Sequence, residues 1–164
     1  METLITLTVL QTLVFTGYIL FLLHKFKQPL PSISQSWYQL KPYNQQYLFT
    51  WFIGLLGLFT LMQGGLLFLL SGIFLLFVGI TTEFKKTFTL EDEIHYGGAV
   101  LGILLSLLGL WHWGLIWPSL IMVLWLGVCV VWNVKNFTWW VEIGAFISII
   151  SGMFWRALEY GGVV

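Results

Sequence analysis

The sequence predicts an all-α fold, a polytopic transmembrane bundle of six helices in a single domain covering residues 1–164, and three observations predict it. Six apolar runs of about 16 to 20 residues recur along the chain. Hydrophobic residues make up 59% and charged residues 9% of it, against about 25% charged in soluble domains, and the mean hydropathy is +0.90. The breaks between runs gather proline, glycine, asparagine and charge. Without water, a helix that satisfies its own backbone is the open-ended way to cross.

The first run, about 4–23, has Glu2 before it and Lys25 and Lys27 after it. It lacks the basic start and small-residue cleavage site of a secretion signal and predicts an uncleaved anchor. From His24 to Gln46, Pro29, Pro31, Pro42 and several Ser, Asn and Gln predict turns rather than helix. A second span, about 47–62, reverses through Gln63, Gly64 and Gly65 into a third, about 66–81. At about 1.5 Å per residue such lengths reach only about 24 Å, so thinning of the bilayer or interfacial residues must complete the crossing. The fourth span, about 94–111, ends at His112, Trp113 and Gly114. Pro118 falls in the first turn of the fifth, about 115–134, where proline is tolerated. The sixth covers about 139–155.

The loops after spans one, three and five carry six of the seven basic residues, Lys25, Lys27, Lys41, Lys85, Lys86 and Lys135, leaving Arg156 on the other side. Positive residues near spans favour the cytoplasm, so those loops are expected there, in the inner membrane of a bacterium, with both termini outside. Two tryptophan belts are expected: Trp37, Trp51, Trp132, Trp139 and Trp140 at one interface, Trp111, Trp113, Trp117 and Trp155 at the other.

Small residues allow helices to approach closely in lipid, where little hydrophobic force acts between them. Gly98, Gly102 and Ser106 on span four and Gly144, Ser148 and Gly152 on span six repeat every four residues, and such rows could dock together. Gly65, Gly72 and Gly79 repeat every seven, the spacing of a left-handed seam. Thr8, Thr12 and Thr16 form a stripe whose hydroxyls can bond to the backbone or to a neighbour.

Glu83, Lys85, Lys86, Glu91, Asp92 and Glu93 hold six of the chain's seven acidic and seven basic side chains within residues 83–98. Thr89 resembles a helix cap, with the acids in the first turn against the helix dipole. His95 sits one turn beyond Glu91 and three residues beyond Asp92, so one helix face can hold an imidazole beside a carboxylate. His112, seventeen residues on and about 25 Å away along a helix, belongs to the opposite side. On the side of His95 lie His24, Glu83 and Glu142, an acid just inside a span that calls for a cavity or a partner. His24, Glu83, Glu91, Asp92, His95 and Glu142 therefore define an expected polar pocket. Opposite, Arg156 and Glu159 are spaced as an ion pair near His112, Gln63 and Glu2.

The lone Cys129, in an apolar run, offers neither a disulfide nor a thiolate cluster. No metal site or cofactor is expected, and the zero net charge with no basic run excludes nucleic-acid binding. G-x-S-x-G, H-E-x-x-H and P-loop patterns do not occur in the sequence.

The string PSISQSWYQLKPYNQQYLF, Pro31 to Phe49, resembles the Pro-x-Ile-Ser loop of the DRAM and Frag/Sfk-type six-helix membrane proteins. EFKKTFTLEDEIHYGGAV resembles their approach to the fourth helix, with Phe84, His95, Gly98 and Ala99 matching. The likeness covers most of the chain in architecture and is specific at these two places. It implies lipid handling or membrane organisation and no established catalytic residue; the eukaryotic members are drawn with both termini cytoplasmic, opposite to the orientation from charge. The leading expectation is a non-catalytic protein that binds membrane lipids or a membrane protein partner, or a homo-oligomer, through the polar pocket. The alternatives are a lipid acyltransferase or hydrolase with His95 as base beside Glu91 or Asp92, and an oligomeric pore or transporter lined by Glu142 and the Thr8 to Thr16 stripe.

Overall fold

The computed structural model describes residues 2–81 and 90–160, with side chains at 3–81 and 95–160. Among them it forms α1 (Glu2–Phe26), α2 (Ser36–Leu40), a 3-10 turn (Lys41–Tyr43), α3 (Tyr47–Leu61), α4 (Leu66–Thr81), α5 (Leu90–His112), α6 (Trp117–Val131) and α7 (Phe137–Tyr160), and no strand. Three helices are long and apolar enough to cross a membrane, over Thr3–Phe26, His95–His112 and Phe137–Tyr160, as in a membrane protein; α3, α4 and α6 are shorter apolar helices.

Several helix ends differ from expectation, and local backbone chemistry explains them. Helix α1 runs to Phe26 because the left-handed residue that closes it is Lys27, at φ 59°, whose N–H bonds Leu23 O at 2.9 Å. Helix α6 stops at Val131 because Asn133 turns left-handed at φ 45° and Val134 N–H returns to Cys129 O at 3.2 Å. Its 15 residues give about 23 Å, below the roughly 30 Å of a hydrocarbon core. Helix α7 continues to Tyr160, and α5 begins at Leu90.

The segment expected to hold only turns contains α2. Gln35 N–H donates to Ser32 Oγ at 3.2 Å, and Ser36 and Trp37 N–H return to Ile33 and Ser34 carbonyls at 3.0 and 3.2 Å, so a short helix starts as soon as the prolines are passed. Its apolar side, Trp37 and Leu40 with Ile33 before it, is buried in the main core.

Helix α4 lies between α3 and α5, and α7 touches α1, α5 and α6, while α1 closes on α3. The order α1, α3, α4, α5, α7 thus makes a closed ring, with α6 outside it on α7. At the ring's axis is a void of about 10 Å³ reached by Gln11, Thr60, Ser106 and Phe146, no wider than a single water-sized space.

Glycines set the closest approaches. A Cβ on Gly57 would meet Gly72 O at 2.9 Å, and one on Gly72 would meet Gly57 O at 2.5 Å, so α3 and α4 touch backbone to backbone. Gly79 faces Ile53 on the same seam, but Gly65 belongs to the reversal, with Gly64 at φ 91° and Gly65 at φ 82° where other residues are strained. The two four-residue rows do not dock on each other. Gly98 and Gly102 face Phe74, Val78 and Leu75 of α4, whereas Gly144 faces the Trp125 indole of α6 and Gly152 meets Leu110 and Pro118.

Candidate interfacial site at the loop end of α7

Proline punctuation leaves the chain from Pro29 to Ile33 with polar backbone groups to satisfy, and the start of α7 satisfies three. Asn136 Nδ2 donates to Pro29 O at 2.8 Å and Trp139 N–H to Pro31 O at 3.2 Å, while Ile33 N–H donates to a Glu142 carboxylate oxygen. These contacts stitch the first loop to Asn136, just before α7, and to the first six residues of α7. They bridge more than a hundred positions in sequence.

The clamp orients a larger cluster. Ile33 and Leu30 are buried, and Trp139 is fully so. The loop covers it, so Trp139, like Trp37 of the same expected belt, packs into the core instead of facing outward. Trp51, Trp132, Trp111 and Trp155 do face outward near the helix ends. Tyr18 of α1 stacks on Phe52 of α3 at 4.1 Å and shares a 2.6 Å hydrogen bond with Ser36 of α2. Lys25 donates to Gln45 Oε1 at 2.8 Å with its ammonium 3.9 Å from the Tyr43 ring centroid, tying the end of α1 to the entry of α3.

The expected pocket residues sit as follows. His24 is exposed in the last turn of α1. His95 is half-buried at the start of α5, its ring centroid 6.3 Å from Phe49 and 5.7 Å from Tyr96. Glu142 takes the Ile33 N–H. Glu83 lies outside the described residues, as do Thr89 and the side chains of Glu91 and Asp92. The loop contact of Glu142 was not foreseen from sequence. The clue was present in the Pro-rich stretch, which needs acceptors and donors from elsewhere, but nothing in the chain order pairs it with a helix so remote.

Compared with protein families, with curated proteins and with solved structures, the chain finds no match.

At the opposite end the expected Arg156–Glu159 pair forms at 2.9 Å, with Trp155 Nε1 donating to Glu159 at 2.9 Å and Arg156 to Tyr160 OH at 3.0 Å. Arg156 also faces the Trp113 ring at 5.9 Å. Gln63 instead turns inward: its amide donates to Gln11 Oε1 at 2.9 Å, and Gln11 donates to Thr60 Oγ1 at 3.0 Å, giving a buried polar chain between α1 and α3. Thr8 is buried and bonds Leu4 O at 2.9 Å, while Thr12 and Thr16 of the same stripe face outward. Among the described residues no group of three or more His, Cys, Asp or Glu could hold a metal.

Proposed function

We propose that this chain is a non-catalytic integral membrane protein whose six longer helices all cross the bilayer, and that it binds lipid or a membrane partner at the end where the first loop is clamped to α7. The observation that carries the reading is the bond from Ile33 to Glu142. A carboxylate inside an apolar helix is expensive in hydrocarbon and needs a donor, and here the donor comes from a loop, which supports an interface at that depth. His24 and Lys27 are exposed at the same end of the bundle, and Lys135 is exposed beside Asn136.

Outward-facing apolar side chains support immersion on all sides. Leu13 and Leu20 on α1, Leu124 and Val131 on α6 and Ile147 on α7 are all exposed, a distribution soluble proteins avoid. The three shorter helices cross if the bilayer thins locally or if flanking tryptophans meet it. By the lysine bias, residues 27–46, 82–89 and 132–136 lie on the cytoplasmic side of a bacterial membrane. Kinship with the DRAM and Frag/Sfk-type proteins is part of the proposal and rests on Pro31, Ile33 and Ser34 with Phe84, His95, Gly98 and Ala99. The Pro-x-Ile-Ser string forms the clamp, a structural role for the most specific of those matches.

The test measures co-purifying lipid and protein after mild detergent extraction of wild type, His95→Ala and Glu142→Ala. Loss of a bound species in either variant supports the pocket of His24, Glu83, Glu91, Asp92, His95 and Glu142. An unchanged set in both overturns it.

A further inference from the structure

We infer that the groove between α1 and α7 holds one acyl chain of an anionic glycerophospholipid, whose headgroup sits against Lys27 and Lys135. This rests on the membrane reading above and names a ligand for the same end of the molecule.

The groove encloses about 520 Å³ between Thr12, Phe15 and Leu20 of α1 and Ile143, Ile147 and Phe154 of α7, inside the roughly 300–1,000 Å³ range of small-molecule sites. Two of its three hydroxyls are turned to the helices themselves, Thr12 Oγ1 donating to Thr8 O at 2.8 Å and Ser151 Oγ to Ser148 O at 3.0 Å, and Thr16 is the third. Seven of the ten lining side chains are hydrocarbon, which suits an acyl chain better than a polar solute.

From Ile143 to Phe154 the groove follows α7 for about 16 Å, about half of a 30 Å hydrocarbon core, the depth that one chain from one leaflet occupies. Leu20 and Ile143 mark the end nearer the loop. One turn past Leu20 the exposed His24 follows, and Lys27 closes α1. The Asn136 to Pro29 hydrogen bond puts Lys135 and Lys27 at the same end of the bundle, each within two residues of that bridge.

Charge selects the headgroup. Both lysines are exposed, and among the described residues neither forms an ion pair. The described carboxylate at that end, Glu142, is directed to Ile33 N–H. An anionic phosphate supplies the missing partner, since basic residues near a membrane surface attract anionic headgroups. A second copy docked on this groove by a two-fold axis normal to the membrane would instead bring like charges together.

The test uses the full chain in mild detergent, titrated with phosphatidylglycerol or phosphatidylcholine of equal chain length, with bound lipid counted by native mass spectrometry. Wild type is expected to retain phosphatidylglycerol in preference. Lys27→Gln with Lys135→Gln lowers that preference by about thirtyfold and leaves phosphatidylcholine unchanged. Ile147→Trp, which fills the groove, reduces retention of both lipids, and Leu124→Trp on the exposed face of α6 does not. Wild-type retention by Ile147→Trp, or equal retention of the two lipids by wild type, overturns the inference. If Ile147→Trp has no effect while His95→Ala or Glu142→Ala releases lipid, the groove fails and the polar pocket stands. If no variant alters retention, both fail as lipid sites.

Discussion

Ser106 Oγ lies 2.7 Å from Ser71 Oγ across the α4–α5 contact, and the direction of that bond is set by a second one: Ser71 spends its single proton on Gly102 O at 2.6 Å, so Ser106 is the donor. Both hydroxyls are buried. The row of Gly98, Gly102 and Ser106 therefore serves two purposes, close approach at the glycines and a directed bond at the serine. Interhelical bonds in membranes average about 0.6 kcal/mol and reach about 1.7. A double-mutant cycle of Ser71→Ala and Ser106→Ala, followed by unfolding in mixed micelles, is expected to give a coupling of about 1 kcal/mol. A coupling near zero would show that the two bonds stabilise nothing beyond packing.

Gly144→Ala should destabilise because the new methyl would occupy the place of the Trp125 indole, and that indole is pinned by its own 2.7 Å bond to Trp140 O. Overpacking of this kind costs about 1–3 kcal/mol. Gly72→Ala should cost more, since it meets the Gly57 and Leu61 backbone, which cannot rotate away. Gly17→Ala, with nothing within 4 Å, should be neutral or slightly stabilising through helix propensity. Thermal aggregation temperatures of the three variants in one detergent give the ranking, and a Gly17 variant as damaged as Gly72 would refute the packing argument.

Glu142→Ala leaves the Ile33 N–H buried without its acceptor, a loss of about 1–3 kcal/mol for local order in the first loop. Glu142→Gln keeps a carbonyl oxygen at the same reach and should retain most of it. Hydrogen exchange resolved to peptides from Pro29 to Trp37 is the measurement. The expected result is at least about tenfold faster exchange in the alanine variant, with the glutamine variant near wild type. Equal exchange in all three proteins would detach Glu142 from the clamp.

The helices were legible because each is written as a local apolar run, and the start of α3 at Tyr47 and both bounds of α4 at Leu66 and Thr81 coincide with the expected ones. Composition could not choose partners for them. Gly98 and Gly144 carry the same four-residue signature, yet one faces α4 and the other α6, and the spacing of small residues does not name the neighbour they approach. Helix α2 was hidden by the prolines on both sides of it, and the burial of Trp139 was hidden because its covering loop lies more than a hundred residues away. His24 and His95 were correctly assigned to the loop end of α1 and the start of α5. The contact that defines that end, Ile33 to Glu142, needed the folded chain.

Gln11 and Gln63 provide the sharpest test of the buried polar chain, because a single replacement and a double one should differ in kind. Gln11→Leu deprives the Gln63 amide of its acceptor and Thr60 of its donor, while Thr60 keeps its own 2.8 Å bond to Leu56 O. An unpaired buried donor costs about 1–3 kcal/mol. Gln63 Oε1 is already buried without a partner among the described residues, so removing Gln63 as well takes away both the stranded donor and that acceptor. Gln11→Leu with Gln63→Leu is therefore expected to be more stable than Gln11→Leu alone, by about 1 kcal/mol in micellar unfolding. If the double variant is instead the sum of the two singles or worse, the glutamines do not act as one unit, and the α1–α3 contact is held by Phe52, Leu56 and their apolar neighbours.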